Sequence, residues 1–108
     1  MIVIGACLAG LLLLVANPYR VHGQSMAPSL QDGKLVILDK VSYKFRSPKA
    51  GEVVVAHTPL GIEVVKRIIK ETAPGKYWLE GDNKEASTDS REFGPVGQEA
   101  IVGRVLSL

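Results

Sequence analysis

The stretch Glu63-Val64-Val65-Lys66-Arg67-Ile68-Ile69-Lys70 reads as a β-strand. Val and Ile, whose branched side chains suit a pleated surface, recur through it. A period of two places Val64, Lys66 and Ile68 on one face and Val65, Arg67 and Ile69 on the other. Lys66 is thus flanked on its own face by two aliphatic side chains. A strand lysine in such company is ordinarily a snorkelling edge residue, so the strand sets a fold class and, by itself, no function.

The sequence around it repeats the same grammar. Leu35–Leu38, Glu52–Ala56, Ile62–Ile69, Lys76–Leu79 and Ala100–Leu106 are apolar runs separated by Gly, Pro, Asp and Asn. Lys76–Leu79 follows a Pro74-Gly75 turn. Short Val/Ile-rich runs between turn formers predict a mostly β domain. No internal repeat or low-complexity linker interrupts it.

The amino-terminal end is different. Met1 to Ala16 carries no charged side chain, and every Lys, Arg, Asp and Glu falls from Arg20 onward. Sixteen helical residues cover roughly 24 Å, against a hydrocarbon core about 30 Å thick. Asn17, Pro18 and Tyr19 extend the run toward the headgroup zone, where Tyr is favoured. Its apolar residues run all round a helix rather than along one stripe, and no basic segment precedes it as in a secretory signal. The expectation is one transmembrane helix, residues 1–18, followed by a β domain over 19–108. Pro18 ends the helix signal. Cys7 lies inside the apolar run, where a small buried side chain is the ordinary reading.

Composition narrows the function classes. The 108 residues leave room for one small domain, with 46% hydrophobic and 22% charged residues. Disorder is excluded by that balance. A net charge of +2 without a basic stripe argues against nucleic acid. A single cysteine makes no intramolecular disulfide and no zinc site. His22 and His57 stand far apart, with no ligand spacing around them, and His57 precedes Thr58-Pro59 as a loop-edge residue. Tyr77 and Trp78 read as core and surface packing, and Tyr43 and Phe45 as candidates to face lipid. The lysines at 40, 44, 49 and 70 read as a solvated or headgroup-facing set.

Three segments carry chemistry together. Gly23-Gln24-Ser25-Met26-Ala27-Pro28-Ser29-Leu30 lies just past the apolar run, and Val65-Lys66-Arg67-Ile68 lies on the strand above. The third is a polar loop, Gly81-Asp82-Asn83 followed by Ser87-Thr88-Asp89-Ser90-Arg91 and Gly94-Pro95-Val96. In this order they resemble the boxes of the type I signal peptidases, the S26-like membrane-anchored serine–lysine proteases. Lys49-Ala50-Gly51-Glu52-Val53-Val54-Val55 is similar to the box between the first two, with Gly-Glu where Gly-Asp is usual. The resemblance runs from about Tyr19 to Val105.

That resemblance implies a small signal-peptidase-like antiparallel β domain behind the membrane helix. It assigns Ser25 as nucleophile and Lys66 as general base, with Ser87 orienting the amine. It pairs Asp89 with Arg67 and Arg91 to brace the site, and puts Met26 and Pro28 at the substrate. The physical requirement is clear. A serine hydroxyl needs a base, and no histidine is placed beside either motif. A lysine with pKa near 10.4 must drop by roughly 3 units to serve near neutral pH, which burial against aliphatic side chains achieves. The implied substrates are signal-peptide-bearing preproteins, cut after small residues of Ala-x-Ala type at a bilayer surface. The implied location is a single-pass membrane protein with its catalytic domain on the extracytoplasmic side. No metal or organic cofactor is needed, and no nucleic acid is involved.

Some positions depart from the pattern. Gly23 stands where some members carry a serine that donates to the oxyanion. Ser29 replaces the usual Thr, and Lys34 follows Gly33 where Asp is common. The 14 residues between Lys66 and Gly81 leave out the large inserted domain of some relatives. The positive-inside rule gives no support to an outside catalytic domain, because Arg20 follows the apolar run and no Lys or Arg precedes it. A dedicated maturation protease or organelle inner-membrane peptidase would carry the same motifs. A non-catalytic membrane β module would have no reason to keep Ser25, Lys66, Ser87 and Asp89.

Overall fold

The computed structural model describes residues 16–106. They form one antiparallel sheet of seven strands: β1 (Ala16–Arg20), β2 (Leu35–Asp39), β3 (Val53–His57), β4 (Glu63–Ala73), β5 (Lys76–Glu80), β6 (Val96–Gly97) and β7 (Ile101–Leu106). The strand order is β1-β2-β7-β3-β4-β5-β6. The mostly β, antiparallel fold expected from the sequence is present, and each of its five apolar runs contributes a strand. A four-residue helix, α1 (Ser90–Phe93), and three 3₁₀ turns complete the described chain.

The expected membrane helix lies outside the described residues except at its end. There Ala16, Asn17 and Pro18 are strand, pairing with Asp39, Leu38 and Ile37. The sheet therefore begins before the boundary placed at residue 18. Pro18 is tolerated because β1 is an edge strand, where a missing N–H breaks no inner ladder. Among the described residues no helix is long and apolar enough to cross a membrane.

Alternation along β3 divides the core between the two faces of the sheet. Val55 joins Val21, Met26, Leu30, Val36, Leu38, Val65 and Val105 on one side. Val54 and Ala56 join Ile68, Tyr77, Leu79 and Val96 on the other. β4 repeats this, with Val65 in the first cluster and Ile68 in the second. Its register with β5 shifts between Ile68 and Lys70. Beyond that point β4 is exposed through Ala73.

Two connections carry the site. The loop from Val21 to Lys34 is closed at its neck by backbone bonds from Val21 N–H to Lys34 O (2.9 Å) and from Gly33 N–H to Val21 O (2.7 Å). Met26 and Leu30 anchor its interior in the first core cluster. The segment after β5 is stitched back to that strand's end, where the Leu79 N–H donates to Ser90 Oγ at 2.9 Å and the Gly81 N–H to Asp89 Oδ2 at 3.0 Å.

Candidate active site

Lys66 sits on β4 opposite Val54 of β3 and is only 3% exposed. Its Nζ donates to Ser87 Oγ at 3.1 Å. Ser87 Oγ in turn donates to Asp89 Oδ2 at 2.7 Å. Because the Ser87 proton is committed to the carboxylate, its lone pairs are left to receive an N–H from the amine. The chain Asp89–Ser87–Lys66 thus fixes the direction in which the amine points.

Burial pushes the Lys66 pKa down, because an ammonium loses hydration there. The Asp89 carboxylate opposes that shift and the Arg91 guanidinium adds to it. Arg91 grips Asp89 through Nε to Oδ1 at 2.9 Å and Nη2 to Oδ2 at 3.0 Å. This fork offsets part of the field that Asp89 exerts on the amine. Asp89 is fully buried, and burial alone would raise its pKa. The bonds from Arg91, the Gly81 amide, Ser87 and the Arg91 amide together hold it far below the usual carboxylate range. Asp89 also caps α1 by accepting the Arg91 amide.

Arg67 is not part of this group. Period two turns it to the opposite face from Lys66, where it forks onto Asp82 at 2.9 and 2.8 Å and reaches Gly51 O at 2.7 Å. The expected pairing of Asp89 with both arginines is therefore corrected: Asp89 takes Arg91, and Arg67 takes Asp82.

Ser25 and Lys66 line one cleft of about 600 Å³, whose walls include Tyr19, Val64 and Phe93. Among the described residues no hydrogen bond joins the Ser25 hydroxyl to the Lys66 amine, whose bond goes to Ser87. The Ser25 backbone is held from the other side. Its carbonyl accepts the Asn83 N–H at 2.8 Å, and Asn83 Nδ2 donates to Gln24 O at 3.1 Å. Gly81 makes this approach possible, because a Cβ there would lie 2.5 Å from Ser25 O and 2.3 Å from Ser87 Oγ.

Met26 and Pro28 were expected at the substrate. Met26 is 1% exposed and belongs to the core; Pro28 is exposed, and neither lines the cleft. Ser25–Leu30 is a run of turns without helical or strand alternation, so no periodicity marked Met26 as core. His22 does line the cleft, whereas His57 lies outside it. The Asn83 clamp, the Gly81 contact and the Tyr19 and Phe93 walls escaped the sequence reading. Only the Gly81-Asp82-Asn83 box pointed toward any of them. Among the described residues no three metal-ligating side chains cluster.

The chain matches the profile of the family described as signal peptidase, peptidase S26, over residues 1–70 and 70–108. It belongs to that family. The protein is accordingly a serine peptidase of the signal peptidase type. It is similar to Signal peptidase IB of Staphylococcus aureus (strain COL), 28% identical over 145 aligned residues that cover 84% of this chain and 76% of the relative. The alignment is longer than this chain, so the relative carries inserted residues within the shared region. The chain is also similar to Mitochondrial inner membrane protease subunit 1 of Mus musculus, 33% identical over 104 residues, covering 77% of this chain and 63% of that one.

Proposed function

We propose that this peptidase cleaves signal peptides from exported preproteins through a Ser25–Lys66 dyad. The observation that carries this is a lysine 3% exposed, without a carboxylate bonded to it, sharing a cleft with Ser25. Neutral Lys66 takes the Ser25 hydroxyl proton as Oγ attacks the scissile carbonyl. The resulting ammonium returns that proton to the departing amine, leaving an ester on Ser25. Lys66 then takes a proton from water, which attacks the ester; the acid is released and Ser25 regains its hydrogen. Ser87 and Asp89 hold the amine in line, and Arg91 keeps Asp89 from trapping it as a cation.

The Ser25 amide is the oxyanion donor in this scheme. Gly23 adds no side chain, and its N–H is already given to Asp32 Oδ1 at 2.9 Å. Cleavage after small residues of Ala-x-Ala type is the family expectation, and the aliphatic walls at Val64 and Val65 suit small apolar side chains. The uncharged segment 1–16 supports a single-pass membrane location; an extracytoplasmic catalytic domain is the family expectation. The similarity to a mitochondrial inner membrane protease supports a second reading, a dedicated maturation peptidase with the same chemistry. A screen of preproteins separates the two.

The decisive experiment is cleavage of a model preprotein by the detergent-solubilised chain beside Ser25→Ala and Lys66→Ala. Both variants are expected to lose at least a thousandfold in kcat/KM, the scale seen when one member of a nucleophile–base unit is removed. Wild-type-like turnover by folded Lys66→Ala would overturn the dyad.

A further inference from the structure

The hairpin between β3 and β4 turns through Thr58-Pro59-Leu60-Gly61-Ile62, a stretch without a charged side chain. Leu60 is 64% exposed and Ile62 57%. A single exposed aliphatic residue is unremarkable. Two on one tight turn leave a continuous apolar tip in water, the kind of surface that marks a contact.

The backbone donors of this turn are satisfied within it. The Thr58 N–H donates to Ile62 O and the Gly61 N–H to Thr58 O, both at 2.9 Å. The Leu60 and Ile62 N–H groups reach Thr58 Oγ1 at 3.3 and 3.4 Å, and Pro59 has no N–H. Thr58 itself is buried. An apolar medium demands this arrangement, because an unpaired N–H finds no water there. Charged and titratable side chains start only at the base of the turn, where His57 pairs in register with Glu63.

The position of the turn is fixed as well. Glu63, next to Ile62, accepts the Tyr19 hydroxyl at 2.8 Å. Tyr19 lies three residues past Ala16 on β1, roughly 10 Å at about 3.3 Å per residue. The chain before Ala16 is uncharged throughout. The bond therefore ties the apolar turn to the place where the uncharged segment joins the sheet. We infer that the Leu60–Ile62 turn is a second membrane contact: it enters the headgroup–acyl boundary of a lipid bilayer, with His57 and Glu63 at headgroup level. The inference rests on the membrane location proposed above. Leu60 and Ile62 also line the cleft that holds Ser25 and Lys66, so the contact holds the cleft at the lipid surface.

The test places a fluorescent label on the full chain, reconstituted in phosphatidylcholine vesicles, at Leu60→Cys, Ile62→Cys or Thr72→Cys, each in a Cys7→Ser background. Thr72 is exposed near the far end of β4 and serves as the reference. Nitroxide groups carried on the lipid acyl chains quench only labels that reach them. The labels at 60 and 62 should be quenched at least about twofold more strongly than the label at 72, as for side chains buried about 5–10 Å into the boundary. Their emission should also shift to shorter wavelength. Equal quenching at all three positions, on a chain that sediments with the vesicles, overturns the inference and leaves the membrane location standing. A chain that does not sediment with them overturns the membrane location, and the inference falls with it. If the labels at 60 and 62 stay in water until a signal peptide is added, the turn is a peptide contact and the inference is equally overturned.

Discussion

An amine 3% exposed must find a carboxylate or give up its charge. Lys66 forms no ion pair among the described residues; its bond is to the Ser87 hydroxyl, and the nearby carboxylate is already gripped by Arg91. Two consequences are measurable. The rate should rise on the alkaline side with a midpoint below the ordinary lysine value, because the reactive form is neutral and its folded pKa is lowered. In Arg91→Gln that midpoint should move to higher pH, since the uncancelled Asp89 charge then favours the ammonium; kcat/KM measured against pH checks this, and an unmoved or lower midpoint would refute it. Ser87→Ala should lower kcat by about 10–100-fold, because an unanchored amine samples unproductive directions. The sequence made Lys66 and its aliphatic neighbours legible through period two. It could not assign Arg67, since a salt-bridge partner depends on which loop crosses that face.

The elements around the site meet through close backbone contact rather than through large side chains. The loop from Val21 to Lys34 touches the segment after β5 at Gly81, which has no room for a Cβ, and at Asn83, which bonds two of the loop's carbonyls. Gly81→Ala must push Ser25 away from Ser87, and we expect kcat to fall at least 100-fold. Circular dichroism checks that the sheet persists; wild-type turnover would show that the contact is dispensable. Gly103 has the same role far from the chemistry. A Cβ there would lie 2.5 Å from Asp39 O, forcing β2 away from β7. Gly103→Ala is expected to cost about 1–3 kcal/mol in denaturant titration, the range for overpacking a tight site. The five apolar runs showed these strands in the sequence. β1 and β6 stayed hidden, the first inside an apolar stretch that reads as helix and the second only two residues long.

Over the whole molecule, Glu52 ties the connection between β2 and β3 to β7. It accepts from Arg46, Tyr43 and the Lys49 amide, and pairs with Arg104 at 3.2 Å. The Arg46 hydrogen bond leads in holding its pKa down at about 2, from 4.5. A carboxylate more acidic in the folded than in the unfolded chain contributes stability that is fully present above pH 4.5. That contribution is lost as pH falls toward 2. Glu52→Gln should therefore be less stable than wild type at pH 7 and show a shallower loss of stability between pH 4.5 and 2. Parallel slopes for the two proteins, from denaturant titrations across that range, would contradict this.

By itself the sequence determined that the chain after its uncharged leader is a β domain and that it carries a serine box and a lysine box. Both follow from local signals: alternation, turn formers and short motifs, each readable within a few residues. Only the tertiary structure decided which arginine holds Asp89, that Met26 is core while Tyr19 and Glu63 face the cleft, and that Asn83 steadies the nucleophile's backbone. Those facts depend on chain segments far apart in sequence, and their pairing is set by how the sheet's two faces pack and by which loops close over them.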